Sequence, residues 1–115
     1  MKMQHVTIQT AHFEEEIAFY RDVVGLTIRR DARPGRNMVF LSDAEGDTCM
    51  EIIENAEGRD AGNAFLSVGF HSQGVEALRS ELESKGMHPT PMVTPGPQVK
   101  FFFVRDPAGV NVQFI

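Results

Sequence analysis

One pattern occurs twice in this chain and limits the folds open to it. Residues 38–53, MVFLSDAEGDTCMEII, and residues 100–115, KFFFVRDPAGVNVQFI, each read as an apolar strand, a turn and a second strand. The turn opens with Asp and carries a Gly; the second strand sets a polar residue among apolar ones. Asp43 and Gly46 recur 63 positions later as Asp106 and Gly109, and Glu51 recurs 62 positions later as Gln113. Upstream, HVTIQTAHFEEEI from His5 is matched by SVGFHSQGVEALR from Ser67, and Gly25 by Gly86. Two halves of about 55 residues each are too long for a solenoid unit, whose period is about 20–50 residues. It fits a duplicated module of one strand, one helix and further strands.

Within each copy the local signals agree. Residues 5–10 alternate and are rich in β-branched side chains, so they predict a strand with His5, Thr7 and Gln9 on one face and Val6 and Ile8 on the other. Phe13, Ile17, Tyr20 and Val24 recur at helical spacing, and Glu14, Glu15 and Glu16 complement the dipole in the first turn. Residues 26–30 predict a strand, 31–37 a loop, and 38–41 with 48–53 a hairpin. In the second copy, residues 65–71 read as a strand, and Val75, Leu78 and Leu82 stripe a helix ending near Gly86. Four prolines make 87–98 an extended stretch with at most an edge strand, before the closing hairpin of 99–104 and 110–115. The fold class is α+β: two βαβββ modules pairing into a curved mixed sheet around a cleft. The chain reads as one domain, built of module 1 (residues 1–56) and module 2 (64–115) joined by a polar linker, 57–63.

Composition narrows the function. A single cysteine, Cys49, excludes an internal disulfide framework and points to a reducing, cytoplasmic compartment. No segment reads as a signal peptide, and no apolar run reaches the ~18 residues of a membrane span. A formal charge of −5 argues against nucleic acid as a partner. Arg29, Arg30, Arg33 and Arg36 form a local basic cluster, either a solvated loop or a clamp for an anionic group.

Four stretches, HVTI, FEEEIAFYRDVVGL, GFHSQGVEALRSELESKG and FFVRDPAGVNVQF, together resemble the vicinal oxygen chelate superfamily, the glyoxalase/bleomycin resistance/dioxygenase group. The resemblance covers nearly the whole chain and implies the paired βαβββ architecture. It implies a divalent metal held by the first and last strands of each module, which here means His5, Glu51, Ser67 and Gln113. His5 and Glu51 match the ligand types of that pattern, Gln113 stands where Glu is usual, and Ser67 does not match. The dioxygenase pattern of two His and one Glu fails at two of its three positions. On an alternating strand His71 shares a face with Ser67, as the repeat partner of Gln9, and offers a substitute donor. Gly69 between them leaves room for a ligand.

Two functions follow from the resemblance. One is a glyoxalase-type lyase or isomerase acting on a small carbonyl-containing metabolite, with Ni, Zn, Co, Mn or Fe held by His5, Glu51 and Gln113, and Glu51 moving the proton. The other is a metal-free binder of a drug or metabolite, its cleft lined by rings from Phe101, Phe102 and Phe103, of which alternation puts one on the face opposite the other two. The resemblance also implies a homodimer.

Overall fold

A computed structural model describes residues 1–58, 63 and 65–115. The expected linker, residues 57–63, and the expected start of module 2 at residue 64 fall largely outside the described residues.

The first module runs β1 (His5–Thr10), α1 (Phe13–Ala18), a π-helical segment (Phe19–Val23), β2 (Thr27–Asp31), β3 (Met38–Ser42) and β4 (Cys49–Glu54). The second runs β5 (Ser67–Phe70), α2 (Val75–Ser84), β6 (Val93–Gly96), β7 (Val99–Arg105) and β8 (Asn111–Phe114). Each module forms a four-stranded mixed sheet, ordered β1-β4-β3-β2 and β5-β8-β7-β6. In both, the first strand lies parallel to the last and the rest pair antiparallel. The repeat is therefore a repeat of topology. Its glycines confirm this: Gly25, Gly86, Gly46 and Gly109 all take positive φ, between +74° and +87°, where a side chain would be strained.

The two sheets remain separate and do not close on one another. Alternation turns Ile8, Val39, Leu41 and Ile52 of the first sheet and Phe102, Val104, Val112 and Phe114 of the second into one shared core. The first helix fills the middle of that core, with Phe13, Glu16, Ile17, Phe19 and Tyr20 all buried. The α-helix gives way to a wider π turn at Phe19, and the Val24 and Leu26 amides bond back to the carbonyls of Phe19 and Tyr20. The helix α2 is shallower, with only Leu82 buried.

The hairpin turn of module 2 docks on the first helix. Tyr20 donates to Asp106 Oδ2 at 2.7 Å, and Asp106 Oδ1 accepts the amides of Ala108 and Val110 at 2.9 Å each. Glu16 Oε2 also accepts the Ala108 amide. All these groups are buried, so each carboxylate replaces hydration with fixed donors. Burial, reinforced by the Asp106 charge and hydrogen bond, holds the Tyr20 phenol far above its ordinary titration range. Glu16, expected only to complement the helix dipole, is thus a fixed part of the contact between modules.

Candidate functional site

Because the inner faces share one core, each sheet turns its other face away from that core, and the polar residues lie there. On the first sheet, the parallel pairing of β1 with β4 sets Thr7 opposite Glu51 and His5 opposite Cys49; the β3–β4 ladder sets Phe40 opposite Glu51. His5, Thr7, Phe40, Cys49 and Glu51 therefore share one open face, as alternation requires.

Four of them interact directly. The Thr7 hydroxyl donates to Glu51 Oε1 at 2.6 Å, and the same oxygen lies 3.7 Å from His5 Nε2. The His5 ring meets Phe40 edge to face, with centroids 5.7 Å apart. Glu51 is the better covered of the pair, its side chain 11 % exposed against 40 % for His5. Among the described residues, Glu51 Oε2 takes no hydrogen bond and remains free for a ligand or a proton. Beside this group lies a cavity of ≈ 330 Å³ lined by Gln4, His5, Arg29, Arg30, Phe40 and Cys49.

The other expected residues stand elsewhere. Gln9 is on the same face, but its carbonyl accepts a hydrogen bond from Asn55 at 2.9 Å. Ser67 and Gln113 belong to the second sheet, where Ser67 is exposed and Gln113 lies opposite Gly69. A Cβ at position 69 would stand 3.2 Å from Gln113 Oε1, so the glycine leaves that carboxamide its place. Phe101 and Phe103 lie half-buried on the same face as Gln113, their rings T-shaped at 5.8 Å, while Phe102 is wholly buried on the other face. His71 falls one residue past the end of β5 and lines a separate cavity of ≈ 560 Å³ with Val23, Val24, Asp43 and Leu78.

His5 and Glu51, the two donors expected of a nitrogen/oxygen metal site, therefore stand together, and Gln113 lies on a different sheet. No group of three His, Cys, Asp or Glu able to hold an ion occurs among the described residues. As a donor set, His5 and Glu51 fit half of a divalent site.

Sequence reasoning placed Thr7 on the right face without seeing its bond to Glu51. The signal was available: when the first and last strands of a βαβββ unit run parallel, the residue two beyond His5 comes level with Glu51.

A family model described as the Glyoxalase/Bleomycin resistance protein/Dioxygenase superfamily matches residues 2–114. No curated protein matches the chain in sequence. Solved structures share its fold. A trypanothione-dependent glyoxalase I of Leishmania major is 19% identical with a TM-score of 0.76, covering 100% of this chain and 86% of that one. TnmS3, an antibiotic binding protein from Streptomyces sp. CB03234, is 16% identical with a TM-score of 0.76, at 99% and 93% coverage. A possible glyoxalase from Bacillus cereus is 19% identical with a TM-score of 0.78, at 100% and 98% coverage. No helix among the described residues is long and apolar enough to cross a membrane.

Proposed function

The chain belongs to the glyoxalase/bleomycin resistance protein/dioxygenase superfamily, and from that premise we propose that it is a lyase or isomerase of small carbonyl compounds whose site is completed by a second copy of the chain. The observation that carries this reading is the division of the donors. His5, Thr7 and Glu51 are assembled on the open face of one sheet, while Ser67 and Gln113 stand on another sheet. A homodimer that apposes the first sheet of one copy to the second sheet of its partner makes two equivalent sites. Each has His5 and Glu51 on one wall and Gln113, Phe101 and Phe103 on the other. Twofold symmetry supplies both at once.

His5, Glu51 and the partner's Gln113 would hold a divalent ion by nitrogen and oxygen, donors that suit Ni, Co, Mn, Fe(II) or Zn. When bound, such an ion polarises a carbonyl oxygen. Glu51 supplies the base. Thr7 occupies Oε1 and holds the carboxylate in one orientation, leaving Oε2 to accept a proton from the carbon beside the substrate carbonyl. The C–H electron pair moves into a new C=C bond and the carbonyl pair moves onto oxygen. Where the carbon that loses its proton bears a hydroxyl, that hydroxyl's proton passes to the former carbonyl oxygen as its own carbonyl forms, and return of the proton from Glu51 to the former carbonyl carbon completes an isomerisation. The free thiol of Cys49 accords with a reducing, cytoplasmic setting.

A second reading, a metal-free binder of a drug or metabolite, is favoured by the half-buried rings of Phe101 and Phe103 and the fold shared with an antibiotic binding protein.

Calorimetric titration of Ni²⁺ and Zn²⁺ into chelator-stripped protein separates the two. The enzyme reading expects one ion per chain and at least tenfold weaker binding in Glu51→Gln, about 1.4 kcal/mol. An intact fold that takes up neither ion contradicts it and leaves the binder.

A further inference from the structure

The four clustered arginines have different fates. Arg33 is consumed by Asp31, with bonds of 2.7–3.0 Å that hold the Asp31 carboxyl down to about 2. Arg29 donates to the Asp43 carbonyl at 2.6 Å and to Ser42 Oγ at 3.3 Å. Arg36 lies in the loop between β2 and β3. Arg30 has no carboxylate or carbonyl partner among the described residues. Its guanidinium sits over the Phe40 ring, 5.5 Å from the centroid.

A break in the ladder puts it there. Thr27 and Ile28 pair with Ser42 and Leu41, and in an unbroken antiparallel register Arg30 would lie opposite Val39. Val39 is fully buried on the core face, where an unpaired guanidinium would be prohibitive. A bulge between Ile28 and Arg30 shifts the register by one residue and sets Arg30 opposite Phe40 instead. Bulges re-aim side chains in this way, often beside active sites. The result places the cation on the face that carries His5, Thr7 and Glu51.

The geometry then relates cation and imidazole. Both approach the same Phe40 ring, along legs of 5.5 and 5.7 Å, so they lie no further apart than the sum of those legs. Both also line the ≈ 330 Å³ cavity. A guanidinium over an aromatic face keeps its in-plane N–H donors available, in the fork that matches a carboxylate or phosphate. We propose that Arg30 is an anion subsite of this face, and that the substrates of the site are small carbonyl compounds bearing a carboxylate or phosphate, held with the anionic end on Arg30 and the carbonyl toward His5 and Glu51. The inference rests on the proposed function for the carbonyl end; the anionic end stands on Arg30 and Phe40 alone.

The test is an NMR titration of paired probes: pyruvate against methyl pyruvate, and dihydroxyacetone phosphate against dihydroxyacetone. Each is added to the wild type, Arg30→Gln, Arg30→Lys and Arg36→Gln, with and without Ni²⁺. The expected result is at least tenfold tighter binding of one or both anions than of their uncharged partners. That preference is lost in Arg30→Gln, partly kept in Arg30→Lys and unchanged in Arg36→Gln; which anion responds more decides between carboxylate and phosphate. An equal response to charged and uncharged probes, no binding of either anion at millimolar concentration, or a preference that survives Arg30→Gln would overturn the proposal. Arg30-dependent anion binding in a protein that takes up no Ni²⁺ would support the subsite while removing the metal-assisted reaction. Glu51-dependent Ni²⁺ binding without an anion preference would do the reverse.

Discussion

The molecule holds two carboxylates beneath hydroxyl donors, and they serve opposite ends. Between the modules, the Tyr20 hydroxyl meets Asp106 at 2.7 Å. On the open face of the first sheet, the Thr7 hydroxyl meets Glu51 at 2.6 Å. Asp106 is sealed, with its second oxygen taken by two backbone amides. Glu51 has one oxygen engaged by Thr7 and near the His5 imidazole, and among the described residues the other takes no hydrogen bond. The bond lengths match; what differs is whether donors saturate the carboxylate. A saturated buried carboxylate fixes the fold, and an unsaturated one beside a cavity retains capacity for chemistry.

Replacing each carboxylate breaks that comparison in a different place. Asp106→Ala has the largest effect. It strands the Tyr20 hydroxyl and the Val110 amide in the core, at roughly 1–3 kcal/mol for each unsatisfied group, and leaves the Ala108 amide to Glu16 alone. A loss of about 3–5 kcal/mol is expected, lowering Tm by more than about 10 °C in a circular-dichroism melt. A shift of a degree or two would mean that the contact between modules is incidental.

Alkaline pH acts next on the same contact. Tyr20 is the only tyrosine in the chain, so absorbance near 295 nm reports its ionisation alone. Its folded-state pKa is raised, so above the ordinary value near 10 the unfolded chain releases a proton that the folded chain keeps. Stability is full below that pH and falls as pH rises beyond it. The tyrosinate signal should appear only together with unfolding, and Tyr20→Phe should flatten the alkaline fall of Tm. Reversible ionisation near pH 10 with the fold intact would show that the phenol is not sealed.

Glu51→Gln should be the mildest for stability, less than about 1 kcal/mol, because an amide still offers Thr7 an acceptor. The same substitution should abolish exchange of the proton beside the carbonyl of a bound ligand into deuterated solvent. A melt as damaged as that of Asp106→Ala would place Glu51 in the structural class.

Much of this was legible in the sequence. Alternation put His5 and Thr7 on one face, and the repeat set Glu51 against Gln113, because period and spacing survive folding unchanged. Three features were not legible. The role of Glu16 was hidden among three consecutive glutamates, although only Glu16 falls on the Phe13–Ile17–Tyr20 stripe that enters the core. The bulge at β2 leaves no mark in local composition, so the register that turns Arg30 to the open face is set by the core's demand for Ile28. The packing of the two sheets onto one shared core depends on long-range contacts such as Tyr20 with Asp106, which no local pattern encodes.

A site shared between two copies of the chain can be read out by mixing subunits. Glu51→Gln and Gln113→Ala chains are each titrated with Ni²⁺ alone, then mixed one to one after exchange of subunits. In a twofold dimer, half of the mixed dimers are hybrids, and each hybrid carries one site with both lesions and one with none. A shared site requires that each variant alone binds weakly and that the mixture regains about a quarter of the wild-type tight sites. A mixture that binds only as the average of its two parents would contradict it, and would return the site to a single chain.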